Sequence, residues 1–212
     1  MADKGTRLFA GIVSGSIAAL QENSTLISRH RFKSALIPLA SAVVALVDTA
    51  IQGVVLLLGY LLVGDWPSLS SLALLAPSLL GVVLFGLALG LLLAAFNVYA
   101  RDVGFLTDVG LQVGFWLCPV LYSYGFIVKA AESYGLSVEW ATRIYMLNPM
   151  ANGVLGFQRA LWPPASTPEG ALFSFPGELG WRLVVFCAFS AALCILAWAI
   201  FNRLSRNFAQ EL

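Results

Sequence analysis

Long apolar runs separated by short polar breaks organise this chain. Residues 36–63, 69–96, 104–122 and 183–201 are the clear candidates for membrane spans, since a helix needs about 20 apolar residues to cross a bilayer. Residues 6–22 are a weaker candidate. The apolar part, Leu8–Leu20, is short and dotted with glycine and serine, and it spans only if Gln21, Glu22 and Asn23 lie at the interface. From Ser123 to Gly180 the pattern breaks. The segment Ile144–Trp162 is apolar but interrupted by Asn148-Pro149, and Arg159 would be costly in lipid, so residues 128–162 are expected to form an external re-entrant or interfacial helix pair. Pro163–Gly180 reads as an external loop.

Polar residues inside the apolar runs refine this picture. Asp48 and Gln52 share one helical face, as do Asp108 and Gln112. Asp48 stands about 18 Å along its helix from Leu36, where an unpaired charge costs on the order of 3 kcal/mol. An inter-helix hydrogen bond is the favoured account of such a pair, and the lining of a path is the other. Gly86 and Gly90 make a small-xxx-small pair that permits close helix contact, and Gly110 and Gly114 open a second such face. Asn97, Arg101 and Asp102 form a compact polar hinge between two runs, with Asp102 placed to accept from the backbone at the start of the next helix. Pro119 should bend or end that helix.

Composition fits the same class. Hydrophobic residues make up 59% of the chain and charged residues 11%, against roughly 25% charged in soluble domains, and mean hydropathy is +0.86. The fold class is therefore an all-α integral membrane protein, a polytopic helix bundle. A net charge of +1 offers nothing to a nucleic acid. Cys118, Cys187 and Cys194 lie in apolar runs without a CxxC pair, so metal and disulfide readings are poor. Positive charge sets orientation. Residues 23–34 hold Arg29, His30, Arg31 and Lys33 interleaved with Leu26, Ile27 and Phe32, and belong in the cytoplasm, as do Arg203 and Arg206 in the tail. That basic stretch reads either as an amphipathic surface helix or as a plain topology-setting loop. An intramembrane enzyme is disfavoured: Gly11–Gly15 is not GxSxG, and the single histidine, His30, lies in the basic loop. No GxxxxGK[ST] phosphate loop occurs, so ATP would be handled by another chain.

Together these residues resemble the permease subunit of a type-2 ABC exporter of the polysaccharide, O-antigen or teichoic-acid family. The family's marker LNVYYRDV…LQ.WFFLSPVIYP is matched by FNVYARDV…LQVGFWLCPVLYS at residues 96–123. A second, LNP followed by an amphipathic piece ending in FR, is matched by LNPMANGVLGFQR at residues 147–159, and a third by RHRFKSALIPLASAVVALVDT at residues 29–49. Asp108 and Ser123 stand where the family often has proline, and Cys118 where it has serine or threonine. By this resemblance the chain is expected to begin within the family's second span, without its interface helix and first span.

The resemblance implies a multi-pass protein of the bacterial inner or plasma membrane that pairs with a second copy of itself. It implies an ABC ATPase partner that carries ATP and Mg, with no cofactor in this chain, and a lipid-linked glycan as cargo among membrane lipids. Leu26, Ile27, Arg29, His30, Arg31, Phe32 and Lys33 would be the cytoplasmic coupling helix. Phe115, Trp116 and Tyr122 would line the path, and Asn148, Pro149 and Arg159 would belong to an external gate. A drug or small-lipid exporter, or an incomplete non-transporting paralogue, is the alternative.

Overall fold

The computed structural model describes residues 4–23, 34–63, 68–120, 122–161 and 175–208. All its regular structure is helical: α1 (Lys4–Glu22), α2 (Leu36–Val63), α3 (Leu69–Leu72), α4 (Leu75–Tyr99), α5 (Asp102–Leu117), α6 (Tyr124–Ser133), α7 (Val138–Tyr145), α8 (Pro149–Leu161) and α9 (Leu179–Leu204). A 3-10 turn, Ser205–Asn207, follows α9. Among the described residues three helical segments are long and apolar enough to cross a membrane: Leu36–Leu62, Leu69–Tyr99 and Leu179–Leu204. The all-α, polytopic class expected from the apolar pattern is what the fold is. The seven coupling residues Leu26, Ile27, Arg29, His30, Arg31, Phe32 and Lys33 lie outside the described residues, as do residues 64–67 and most of the 163–180 loop.

Helix α4 is the centre of the bundle. Its small residues let two partners approach on different sides. A Cβ on Gly81 would come within 2.5 Å of the Phe186 ring on α9, while Cβ atoms on Gly86 and Gly90 would meet Ile12 at 3.3 Å and the Ser16 hydroxyl at 2.7 Å on α1. Phe9 stacks on Phe85 at 5.5 Å between centroids, and the succession Phe9–Phe85, Ile12–Gly86, Ser16–Gly90 makes α1 and α4 parallel. Against α2, α1 runs antiparallel: Ser16 and Ser41 share a 3.0 Å hydrogen bond, and the Lys4 amine donates to the Gln52 carbonyl. The short run 6–22 is thus a central helix. Its glycines and serines are contact surface, and Leu8, Ile12, Val13, Ile17 and Leu20 are buried.

Two segments depart from their expected outlines. The run 104–122 folds as α5, Asp102–Leu117, because the Cys118 backbone is already extended (φ −91°, ψ 150°) ahead of Pro119. Its 16 residues extend about 24 Å, less than a hydrocarbon core of about 30 Å. The region 128–162 holds three helices rather than a pair. Helices α6 and α7 pack on each other, with Gly135 (φ +68°) allowing the Leu136 amide to reach the Ala131 carbonyl at 2.9 Å, a Schellman turn. Helix α8 instead turns back into the bundle, where Met150 to Phe157 are all buried against α4, α9 and α1. Asn148-Pro149, which reads as a break, is a helix start: proline suits the first turn, where its missing N–H costs nothing.

Candidate functional site

The marker segment is built around the two ends of α5. At the end near Arg203 and Arg206, Asn97 is almost fully buried in the last turn of α4. Its Oδ1 accepts the Gly104 amide at 2.8 Å. It thereby satisfies one of the amides that a helix N-terminus leaves without an intrahelical partner. The cap on α5 therefore comes from across the hinge. Arg101 occupies the position before the helix without a side-chain cap, and Asp102 lies exposed in the first turn, where its charge suits the helix dipole. Beside them the Tyr99 hydroxyl donates to the Leu204 carbonyl at 3.0 Å, tying the last turn of α4 to the last turn of α9. Phe208 closes this corner against Tyr99 and Phe201.

At the other end, α5 stops at Leu117, ahead of Pro119, and residues from the α7–α8 turn and α8 bond to the carbonyls there. Asn148 Nδ2 donates to the Leu117 carbonyl at 3.4 Å, while Asn148 Oδ1 accepts the Met150 amide at 3.1 Å and so starts α8. Gln158 donates to the Pro119 carbonyl, and the Tyr122 hydroxyl reaches the Leu117 carbonyl at 3.2 Å. Asn152 Nδ2 in turn donates to the Met146 and Asn148 carbonyls at 3.0 and 3.1 Å. Asn148 and Pro149 thus join the end of α5 to the start of α8. Arg159 is elsewhere, with its guanidinium 5.9 Å from the Phe175 ring centroid.

Between α1, α5 and the α7–α8 turn lies a cavity of about 560 Å³. Phe115 and Tyr122 both line it, together with Gly110, Gly114, Asn148 and, from α1, Arg7 and Phe9. Trp116 does not. Adjacent positions on a helix point about 100° apart, and the Trp116 indole is 63% exposed on the outside of α5. Tyr145, which sequence reasoning passed over, packs its ring 6.3 Å from that of Tyr122. Burial, aided by the Tyr122 phenol, pushes its own phenol well above the ordinary tyrosine range. Arg7 was also passed over; its signal was a cation at the start of a weakly apolar run. An aromatic wall with scattered hydroxyl, amide and guanidinium groups is suited to holding a polar molecule with apolar faces.

The two polar pairs do not meet. Asp108 Oδ1 accepts from the Ser14 hydroxyl at 3.3 Å, joining α5 to α1. Asp48 lies across α1, lining a groove between α1 and α2 with Gly11, Gly15 and Ser41.

No family model matches the chain. It is, however, 26% identical over 206 residues to the O-antigen export system permease protein RfbA of Myxococcus xanthus, covering 96% of this chain and 71% of that protein. Two proteins of the same name from Klebsiella pneumoniae are 23% and 22% identical over 205 residues, each covering 96% of this chain and 70% of their own length. The chain is a relative of O-antigen export permeases. The resemblance carried by the three motifs therefore extends along almost the whole chain, hinge, cavity and α8 included. With three apolar spanning segments among its described residues and similarity to export permeases along almost its whole length, it is a multi-pass protein of a bacterial inner membrane.

Proposed function

We propose that this chain is the transmembrane subunit of an ATP-driven exporter that moves a lipid-linked polysaccharide of the O-antigen class across the inner membrane. The observation that carries the proposal is similarity over 96% of the chain to three proteins named as O-antigen export permeases. That similarity favours a polysaccharide over a drug or small-lipid cargo. Two copies would enclose the path, and ATP and Mg would be bound by a separate ATPase docking on the cytoplasmic segment 23–34. Within each copy the path would pass the cavity faced by Phe115 and Tyr122, since sugar rings stack their C–H faces on aromatic rings. The short helix α5, capped by Asn97 at one end and held by Asn148 at the other, would be the strut between the energy-using end and the cavity.

The test is complementation. The chain, co-expressed with its ATPase in a bacterium deleted for its own O-antigen permease, should restore surface polysaccharide. Phe115→Ala should lower export severalfold while the ATPase still co-purifies, whereas Ile27→Asp with Phe32→Asp should abolish co-purification. Undiminished co-purification would sink the docking assignment, and failure to restore export with an assembled ATPase would sink the cargo.

A further inference from the structure

Asn152 is the one buried side chain in α8 whose hydrogen bonding is left half made. It is 6% exposed, and its amide nitrogen is committed to two carbonyls of the α7–α8 turn. That commitment fixes the flip of the amide, so Oδ1 is an acceptor in a set direction. Oδ1 has no partner. On the facing turn of α9, Arg182 Nε is likewise buried without a partner. Both residues line a cavity of about 500 Å³, which also receives Glu178 and Trp181. Its lining shares no residue with the cavity that holds Phe115 and Tyr122. Its size falls in the roughly 300–1,000 Å³ range of small-ligand sites.

Buried donors and acceptors in folded proteins are nearly always paired, so an orphaned acceptor and an orphaned donor on residues lining one cavity point to a ligand group able to serve both. A hydroxyl does so: it donates to Asn152 Oδ1 and accepts from Arg182 Nε. A phosphodiester or a phosphate dianion does not, because it offers acceptors only and would also face the Glu178 carboxylate. The Trp181 indole, 67% exposed at the rim, adds a flat surface for the C–H face of a pyranose ring, and Phe186 forms an apolar wall. We propose that this cavity is a sugar-binding subsite, distinct from the α5 cavity, with Asn152 and Arg182 reading a hydroxyl and Trp181 stacking on the ring. That the sugar is part of an exported glycan rests on the function proposed above; the site itself rests on its own geometry.

The full chain in lipid nanodiscs is titrated with glucose, galactose, mannose, rhamnose and N-acetylglucosamine, each observed by saturation-transfer difference NMR. At least one should receive saturation, weakened fivefold or more by Trp181→Ala and by Arg182→Met, and unchanged by Trp140→Ala, which removes an exposed indole outside the cavity. Trp181 is exposed, so its variant tests binding without testing folding. Three results would overturn the site: no transfer to any sugar, loss in Phe115→Ala but not in Trp181→Ala, or full displacement by glycerol 3-phosphate, which marks a lipid-headgroup site. Sugar binding in a chain that fails to restore export would retain the subsite and remove the exporter reading. Export without a sugar signal would remove the subsite alone.

Discussion

Helices α4 and α5 carry the same glycine spacing and put it to opposite use. In α4, a Cβ on Gly86 would press on Ile12 at 3.3 Å, and one on Gly90 would overlap the Ser16 hydroxyl at 2.7 Å. In α5, nothing stands within 4 Å of the Cβ position of Gly110 or Gly114. The rest of each helix agrees. Helix α4 buries Val82, Phe85, Leu91 and the small residues between them, whereas α5 buries only Thr107 and presents Phe105, Leu106, Val109, Val113 and Trp116 outward. A small-xxx-small pair thus encodes the capacity for close approach and says nothing about who approaches. For α4 the partner is within the chain. For α5 the two glycines border the cavity that the proposed path uses, on a face open to whatever lies beyond this single copy.

The sharpest way to break that comparison is to fill both stripes. Gly81→Val in α4 should be the most damaging single change, because its first added carbon already overlaps Phe186 at 2.5 Å. Overpacking of this kind costs about 1–3 kcal/mol and occasionally more, and should appear as a large fall in detergent thermal stability. Gly110→Leu and Gly114→Leu should leave that stability within about 0.5 kcal/mol of wild type, as surface changes do, while lowering O-antigen export at least tenfold. Equal loss of stability in the two helices would erase the distinction. Full export by the α5 variants would detach the open stripe from function.

A second comparison sets the two ends of α5 against each other. Asn97 is 2% exposed and supplies a single bond to Gly104. Asn148 is half-buried, and its two weaker bonds start α8 and hold Leu117. Losing a side-chain cap costs typically about 1 kcal/mol, and the half-buried Gly104 amide loses its partner with it. Asn97→Ala should therefore destabilise more than Asn148→Ala, whose exposed groups are rescued by water. Thermal unfolding of the two variants side by side checks the order, and the reverse order would mean that the α8 end, not the hinge, holds α5.

Much of this was legible in the residues. The apolar runs and their polar breaks specify helix class and hinge because the bilayer leaves few alternatives. Two readings went differently for physical reasons, and a third is split by helix geometry. The run 6–22 looked like half a span because glycine and serine lower its hydropathy, yet those residues are what allow it to pack inside α4 and α2. Asn148-Pro149 looked like an interruption because proline ends helices more often than hydropathy patterns show it starting them. Phe115, Trp116 and Tyr122 group as aromatic faces for a sugar path; one helical step separates the directions of Phe115 and Trp116, so Phe115 and Tyr122 line the cavity between α1 and α5 while the Trp116 indole lies on the outside of α5. The cavity's Arg7 and Tyr145, and the half-satisfied Asn152, come from segments distant in sequence, and no local pattern announces that they converge.

The smallest expected effect is also the one that decides what the polar face of α5 is for. Asp108 accepts from Ser14 at 3.3 Å, a long bond between partly exposed groups. Hydrogen bonds between helices in a membrane average about 0.6 kcal/mol, because the separated helices find other partners. Ser14→Ala and Asp108→Asn should therefore each cost no more than about 1 kcal/mol, and the double variant no more than either single one, since both remove the same contact. Export should be unchanged in all three if the pair is a bundle contact. Asp48→Asn, on the far side of α1 and without a share in that bond, should add independently to either. An export defect in Asp108→Asn that Ser14→Ala does not reproduce would show that the carboxylate's charge, rather than its link to α1, is what the helix contributes, and the open side of α5 would then be a polar path and not only a packing surface.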